Sequence, residues 1–374
     1  MSTGKKYYLI AGEASGDLHG SNLIRELRRL DANADIRCWG GDKMEAAGAT
    51  LVKHYRDLAF MGFTEVLMNL RTIFRNLAFC KEDILAFKPD VLVLIDYPGF
   101  NLRIAKWAKQ QGIRIVYYIS PQVWAWKEGR VKMMKQCIDK MLVILPFEKD
   151  YYRDRWNWDV TYVGHPLVEV IEKAQAGPLP SFSDKPVIAL LPGSRKQEIS
   201  KKLPIMLGVS RHFPDYQFIV ARAPGVEDSF YDALIQEYNN VSYVTNQTYD
   251  LLRQSKAALV TSGTATLETA LFAVPEVVCY KGSPISYEIA KRVIKIKYIS
   301  LVNLIMDKLV VTELIQHDLT TENLKRELGK LLNDEKTKET LAADYAALKD
   351  LLSRGGNASA KAAVHVAAMA NGEV

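Results

Sequence analysis

Four short stretches of the chain carry residue types that do chemistry, each directly after an apolar run. Gly12-Glu13-Ala14-Ser15-Gly16-Asp17 follows the run at 7–11. It has neither the G-x-G-x-x-G fingerprint nor a Gly-Lys-Ser/Thr phosphate loop. Its two carboxylates would also repel a phosphate at the helix N-terminus that follows. Ser15 or Asp17 can serve as a helix cap there, but capping leaves Glu13 unexplained. The second stretch is the apolar run at 91–95, which ends in Asp96 and continues Tyr97-Pro98-Gly99-Phe100-Asn101. A carboxylate held at the mouth of a central strand is placed as a general base must be. Its competing role is again a cap, whereas Asp90 at the strand's other end reads as structural.

The other two stretches suit an anion. In Leu190-Leu191-Pro192-Gly193-Ser194-Arg195, Gly193 permits close backbone approach and Arg195 brings a permanent cation. Such a cation can meet the charge that grows on a departing nucleoside diphosphate. In Thr261-Ser262-Gly263-Thr264-Ala265-Thr266-Leu267-Glu268 a strand ends in small hydroxyl residues and a helix begins at once. The free N–H groups around Ser262, Gly263 and Thr264, with the positive end of the helix dipole, form an anion site. Glu268, about one turn on, would meet the two hydroxyls of a ribose. The plain alternatives are a solvated Arg195 and a well-capped helix bearing a surface Glu268.

The elements that position these loops follow from the pattern. Runs at 7–11, 91–95, 115–119 and 141–145, then 187–191, 218–221, 257–260 and 277–280, are continuously apolar rather than alternating. That marks parallel strands buried on both faces. Helical patterns separate most of them, as repeated βαβ units require. Residues 175–186 hold Gly177, Pro178, Pro180 and Pro186 and read as a linker. The expectation is therefore α/β: two Rossmann-like, doubly wound parallel-sheet domains facing across a cleft. The predicted divisions are 1–176, 177–340 and a helical tail at 341–374. Ligands in such sheets collect at the carboxyl ends of the strands, where strand order reverses.

Composition narrows the class. The 374 residues are 48% hydrophobic and 25% charged, a globular composition with length for two cores. The net charge of +6 does not by itself indicate nucleic acid, and none is expected as a partner. Cys38, Cys80, Cys137 and Cys279 are far apart, with no C-x-x-C pair, so neither zinc nor a disulfide framework is indicated. The first apolar run stops at Glu13, too short for a signal peptide. No stretch approaches the roughly 18 apolar residues of a membrane span.

With these residues in view, the sequence resembles the lipid-A-disaccharide synthase family of GT-B glycosyltransferases. The resemblance covers nearly the whole chain. It rests on residues 11–17, Met61-Gly62, Lys88-Pro89-Asp90-Val91, Asp96-Tyr97-Pro98-Gly99-Phe100-Asn101, Ser120-Pro121-Gln122-Val123-Trp124-Ala125-Trp126 and Leu145-Pro146-Phe147-Glu148. In the second half it includes 190–195, 262–268, Ala290-Lys291-Arg292 and Ser300-Leu301-Val302-Asn303-Leu304. It implies an inverting, metal-free reaction with no cofactor, in which UDP-2,3-diacylglucosamine and 2,3-diacylglucosamine 1-phosphate give a β-1,6-linked disaccharide 1-phosphate and UDP. The setting it implies is cytoplasmic, at the inner face of the inner membrane. The family's functional Asp falls on Asp96, its loop glutamate on Glu13, its Gly-Ser-Arg arginine on Arg195 and its late asparagine on Asn303. Glu13 would orient the acceptor or support Asp96. Members often carry a second Asp where this chain has Gly99, which places more weight on Asp96. Members can exchange C-terminal segments, so the tail would pack back on the N-terminal domain or be shared in a homodimer.

Acylated substrates require contact with a bilayer. Phe60, Met61 and Phe63 form an apolar run leading into Val66, Leu67, Leu70, Ile73, Phe74 and Leu77 at helical spacing, and that run with Arg71 and Arg75 suits lipid and its phosphates. Lys291 and Arg292 belong to a second basic cluster. Ordinary amphipathic packing and a solvated helix face are the alternatives. Two other functions fit parts of the pattern: a UDP-N-acetylglucosamine 2-epimerase, which needs no lipid-facing surface, and a non-catalytic nucleotide-binding module at the membrane, which tolerates loss of Asp96.

Overall fold

A computed structural model describes residues 4–58, 70–223, 225–283, 287–288 and 296–373. The chain divides into two compact units, one of residues 1–166 with 353–374 and the other of residues 167–352. Both are built on an all-parallel sheet. The first comprises β1 (Lys6–Ala11), β2 (Asp35–Gly40), β3 (Thr50–His54), β4 (Val91–Ile95), β5 (Ile115–Tyr118), β6 (Lys140–Val143) and β7 (Thr161–Tyr162), ordered β3-β2-β1-β4-β5-β6-β7. The second comprises β8 (Val187–Leu191), β9 (Gln217–Arg222), β10 (Val241–Thr245), β11 (Ser255–Thr261), β12 (Glu276–Tyr280) and β13 (Thr312–Ile315), ordered β10-β9-β8-β11-β12-β13.

Central strands are wholly buried because helices cover both faces of the sheet. Every residue of β4 and of β8 is buried. On one face of the first sheet Tyr8, Ile10, Leu92 and Leu94 pack with Leu77, Ile84 and Ile104. On the other, Tyr7, Leu9, Val91 and Val93 share a core with Leu23, Ile24 and Leu27 of the helix Ala14–Leu30. Each fully buried aliphatic side chain contributes about 1.5–3 kcal/mol.

That second face is completed by the end of the chain. The helix Ala358–Asn371 places Ala362, Ala363, Val366 and Met369 in the same core. Small residues let it lie close: Gly355 and Gly164 are so near that a Cβ on Gly355 would come within 2.1 Å of the Gly164 Cα. The division at 166/167 precedes the expected 176/177. Arg253 of the second unit donates to the carbonyls of Gln175 and Gly177, at 3.1 and 2.7 Å, and holds the helix Pro166–Gln175 there. The return at 353 lies beyond the expected 341 because the helix Glu335–Ser353 stays with the second unit. Its Asp344 accepts from Lys308 at 2.7 Å, and Leu341 is buried and lines a cavity together with Val277 of β12 and Thr312 of β13.

In both sheets strand order reverses once beside the first strand, between β1 and β4 and between β8 and β11. Ala11 pairs with Ile95, and Leu191 with Val260. Each pairing brings two of the four singled-out loops to neighbouring strand ends.

Candidate functional site

At the first switch point the chain turns sharply after β4. Asp96 and Tyr97 both adopt left-handed backbone, with φ of 44° and 48°. Such conformations cost about 1–3 kcal/mol each and persist only where the surroundings impose them. Here the Asp96 carbonyl accepts from the Tyr117 hydroxyl at 2.6 Å and from Asn101 Nδ2 at 2.8 Å, while its N–H donates to the Tyr118 carbonyl at 3.1 Å. Asn101 is fully buried beneath the turn. The carboxylate is thus aimed by a backbone with no latitude. Gly12 belongs to the same construction, because a Cβ there would come within 2.2 Å of the Tyr97 ring.

Burial raises the Asp96 carboxyl to about 6, the charge of Glu13 adds to the rise, and the Tyr97 N–H opposes it. A carboxylate tuned toward neutrality is suited to general-base work near pH 7. Glu13 stands at the N-cap of the helix Ala14–Leu30 with no side-chain capping bond. Asp17 is occupied otherwise: its carboxylate accepts from the Gly41, Lys43 and Met44 N–H groups at 2.8–3.2 Å, capping the next helix, Asp42–Ala46. Of the two loop carboxylates, Asp17 is structural and Glu13 is the one whose charge acts on Asp96.

A third carboxyl, overlooked as a site residue in the sequence, feels the charge of Asp96. Glu148 is buried, accepting from the Leu145 N–H at 3.1 Å and from Trp124 Nε1 at 3.2 Å. Burial pushes its carboxyl up to about 8 against those hydrogen bonds. Nearby, Leu58, Ile73, Tyr97 and Phe100 enclose an apolar cavity of about 190 Å³ with Arg103 at its wall.

The second switch point is a cavity of about 350 Å³. Gly193 and Ser194 form one side, Ser262, Gly263, Thr264 and Ala265 another, and Glu268 and Arg222 also line it. Gly193 has φ of 115°, a conformation that suits glycine. The helix Thr264–Leu271 begins at Gly263 with no side-chain capping bond, so its first N–H groups are presented to the cavity. Ser262 is partly engaged elsewhere: its hydroxyl donates to the Ile299 carbonyl at 3.0 Å and its N–H to the Cys279 carbonyl at 3.4 Å. Glu268 accepts from the Tyr249 hydroxyl at 2.8 Å, and burial raises its carboxyl above the usual range.

The family model described as lipid-A-disaccharide synthetase matches residues 7–367. The chain belongs to that family. A lipid-A-disaccharide synthase of Geobacter sulfurreducens is 38% identical over 365 residues, 95% of each chain. Lipid-A-disaccharide synthase 1 of Legionella pneumophila is 36% identical over 364 residues, 94% of each. The fold is shared more widely. A putative UDP-N-acetylglucosamine 2-epimerase from Listeria monocytogenes aligns with a TM-score of 0.69 at 12% identity, covering 99% of this chain and 98% of that one. The glycotransferase of kitacinnamycin aligns at 0.68 and 16%, covering 99% and 100%. At such identities the likeness shows the fold alone, and that fold is GT-B. Membership of the lipid-A-disaccharide synthase family makes the protein a hexosyltransferase of lipid A biosynthesis and disfavours the epimerase alternative.

Arg195 lies outside the lining of the cavity; it is exposed and pairs with Glu198 at 3.5 Å. Asn303, expected at the nucleotide, is instead fully buried. Its Oδ1 accepts from the Val310 and Val311 N–H groups at 2.8 and 2.9 Å, and its Nδ2 donates to the Val311 carbonyl and Glu313, each at 2.9 Å. With both ends of its amide engaged, Asn303 braces the loop before β13 and has no group to spare for a ligand. Arg71 and Arg75 are exposed on the helix Leu70–Phe87, beside Phe74, which is 61% exposed. Phe60, Met61, Phe63, Lys291 and Arg292 lie outside the described residues. No described helix is long and apolar enough to cross a membrane. Among the described residues no cluster of three His, Cys, Asp or Glu could hold a metal ion.

Proposed function

We propose that the protein condenses UDP-2,3-diacylglucosamine with 2,3-diacylglucosamine 1-phosphate, using Asp96 as general base and releasing UDP. The observation that carries this reading is the Asp96 turn, a half-buried carboxylate locked by three backbone hydrogen bonds and raised to about 6. Asp96 removes the proton from the acceptor's primary hydroxyl as that oxygen attacks the anomeric carbon from the face opposite UDP. The C–O bond to UDP breaks as the new one forms, so one displacement inverts the centre. An inverting glycosidase runs the same geometry with water as nucleophile. Glu13 keeps the Asp96 carboxyl high and stands beside it, where the acceptor sugar would lie.

The donor is assigned to the second unit. Amide groups of Gly263, Thr264 and Ala265, with Gly193 and Ser194, suit a diphosphate, and Glu268 suits the ribose hydroxyls. Arg195 assists from the rim, and Asn303 holds the neighbouring loop rather than the ligand. This donor site needs no metal to neutralise the leaving group, since helix dipole and cations supply positive potential. The acceptor is assigned to the first unit. There the apolar cavity under Tyr97 suits part of an acyl chain, with Arg103 at its wall.

Contact with the cytoplasmic face of a membrane is part of the proposal. The exposed Phe74 with Arg71 and Arg75 supports it, since such a stripe suits lipid and its phosphates. The test is UDP release from UDP-diacylglucosamine in detergent, with and without diacylglucosamine 1-phosphate. Release is expected only with acceptor present. Formation of a 2-epimer, or binding without turnover, would overturn the reading.

A further inference from the structure

Arg222 is the cation that lines the second unit's cavity, among the described residues. It ends β9, the strand beside β8, and had no motif to mark it in the sequence. Its side chain is 13% exposed, against 58% for Arg195. Asp228, the first residue of the helix Asp228–Ile235, is 65% exposed and pairs with one terminal nitrogen. The Tyr243 ring centre lies 5.8 Å from the guanidinium carbon. The guanidinium's Nε is buried with no hydrogen-bond partner among the described residues.

A guanidinium offers five N–H donors in one plane, and its planar fork matches two oxygens at once. Asp228 occupies one terminal nitrogen and Tyr243 lies beside the group, so other donors remain for a ligand. The same cavity is lined by the carboxylates of Glu198 and Glu268. The buried Lys202 offsets Glu198 from behind the lining, at 3.8 Å, so a polyanion entering the site still needs a cation at the wall to outweigh Glu268. Arg195 is poorly placed for that, being exposed to solvent screening and paired to Glu198 at 3.5 Å. A cation held in low-dielectric surroundings acts more strongly and needs no reorganisation.

We propose that Arg222 is the diphosphate-binding cation of this cavity, with Arg195 an auxiliary at its rim. This rests on the nucleotide reading above and deepens it. As the bond to UDP breaks, charge moves onto the β-phosphate, and Arg222 stabilises both the bound and the leaving diphosphate.

Calorimetric titration of the full chain with UDP, UMP and uridine tests it. Arg222→Met should weaken UDP binding by about 10–100-fold, the usual worth of hydrogen bonds to a charged group. UMP should lose less and uridine nothing. Arg222→Lys should recover part of the loss, and Arg195→Met should cost less than Arg222→Met. Unchanged UDP affinity in Arg222→Met, while Glu268→Ala weakens it, would overturn the role of Arg222 and leave the nucleotide site standing. If neither substitution matters, or the wild type binds no UDP, the nucleotide lies elsewhere and both readings fail. Parallel loss of uridine binding would put Arg222 on the nucleoside and end the proposal. Should Arg222→Met lose its thermal transition, Asp228→Asn decides. It frees the guanidinium while keeping it in place, so tighter UDP binding is expected, and unchanged or weaker binding would overturn the assignment.

Discussion

The two sheets put their loops at equivalent points of strand order and furnish them with opposite chemistry. Beside β1 and β4 stand Glu13 and Asp96, two carboxylates whose proximity raises the Asp96 pKa. Beside β8 and β11 stand a glycine turn and an uncapped helix start, with N–H groups and Arg222 at the wall. Strand order determines where a ligand can sit; the few residues beyond each strand determine which one. An acidic turn suits removal of a proton, and a turn of amides suits an anion. A glycosyl transfer needs both.

If that contrast is right, substitutions at the two points should separate cleanly. Asp96→Asn keeps the shape and removes the base, so turnover should fall about 10²–10⁴-fold. UDP affinity by calorimetry should not change. Near-normal turnover would erase the acidic half of the comparison. Glu268→Ala should do the reverse, weakening UDP binding by about 1.5–3 kcal/mol as hydrogen bonds to a charged group are lost. Asn303→Ala sharpens the contrast between ligand contact and support. It takes the acceptor from the Val311 N–H and one of several donors from Glu313, and a loss of about 1–3 kcal/mol in thermal or urea unfolding is expected. A variant with full stability but weak UDP binding would return Asn303 to the ligand.

The smallest effect concerns pH. Asp96 works deprotonated, so kcat should fall as the pH drops through about 6. Burial is the larger cause of that value and Glu13 the second. Glu13→Gln removes the like charge, so the acid limb of the profile should move to lower pH. A limb that stays in place would show that Glu13 does not act through Asp96.

Much of this was legible in the sequence, for a physical reason. β4 and β8 sit in the middle of parallel sheets and are apolar at every position, so their bounds and the loops after them could be read directly. The outer strands β3 and β10 were not, because they are half-exposed and their residues mix polar with apolar. β2 was hidden likewise by Asp35 and Arg37 within it. At the sites, Asp96 was visible because an unbroken apolar run stops at a charge. Arg222 stands at the end of a similar run, but its meaning depends on Asp228, Tyr243 and a cavity that β8 and β11 help to form. Asn303 shows the converse case. A polar residue in the first turn of the helix Leu301–Met306 resembles a ligand contact, and only the neighbouring loop reveals that its amide is already engaged.

The helix Ala358–Asn371 also has a consequence for how the molecule comes into being. During synthesis the second unit, 167–352, leaves the ribosome complete, while the first still lacks part of one core face. Tyr7, Leu9 and Val93 share that face with Ala362, Ala363 and Val366. Until residues 353–374 emerge, the earlier-made unit presents an open apolar surface. Domains tend to fold as units in order of synthesis, and exposed apolar surface invites misassembly. Here the order is inverted: the unit that begins first closes this core face only after the whole of residues 167–352 has been made.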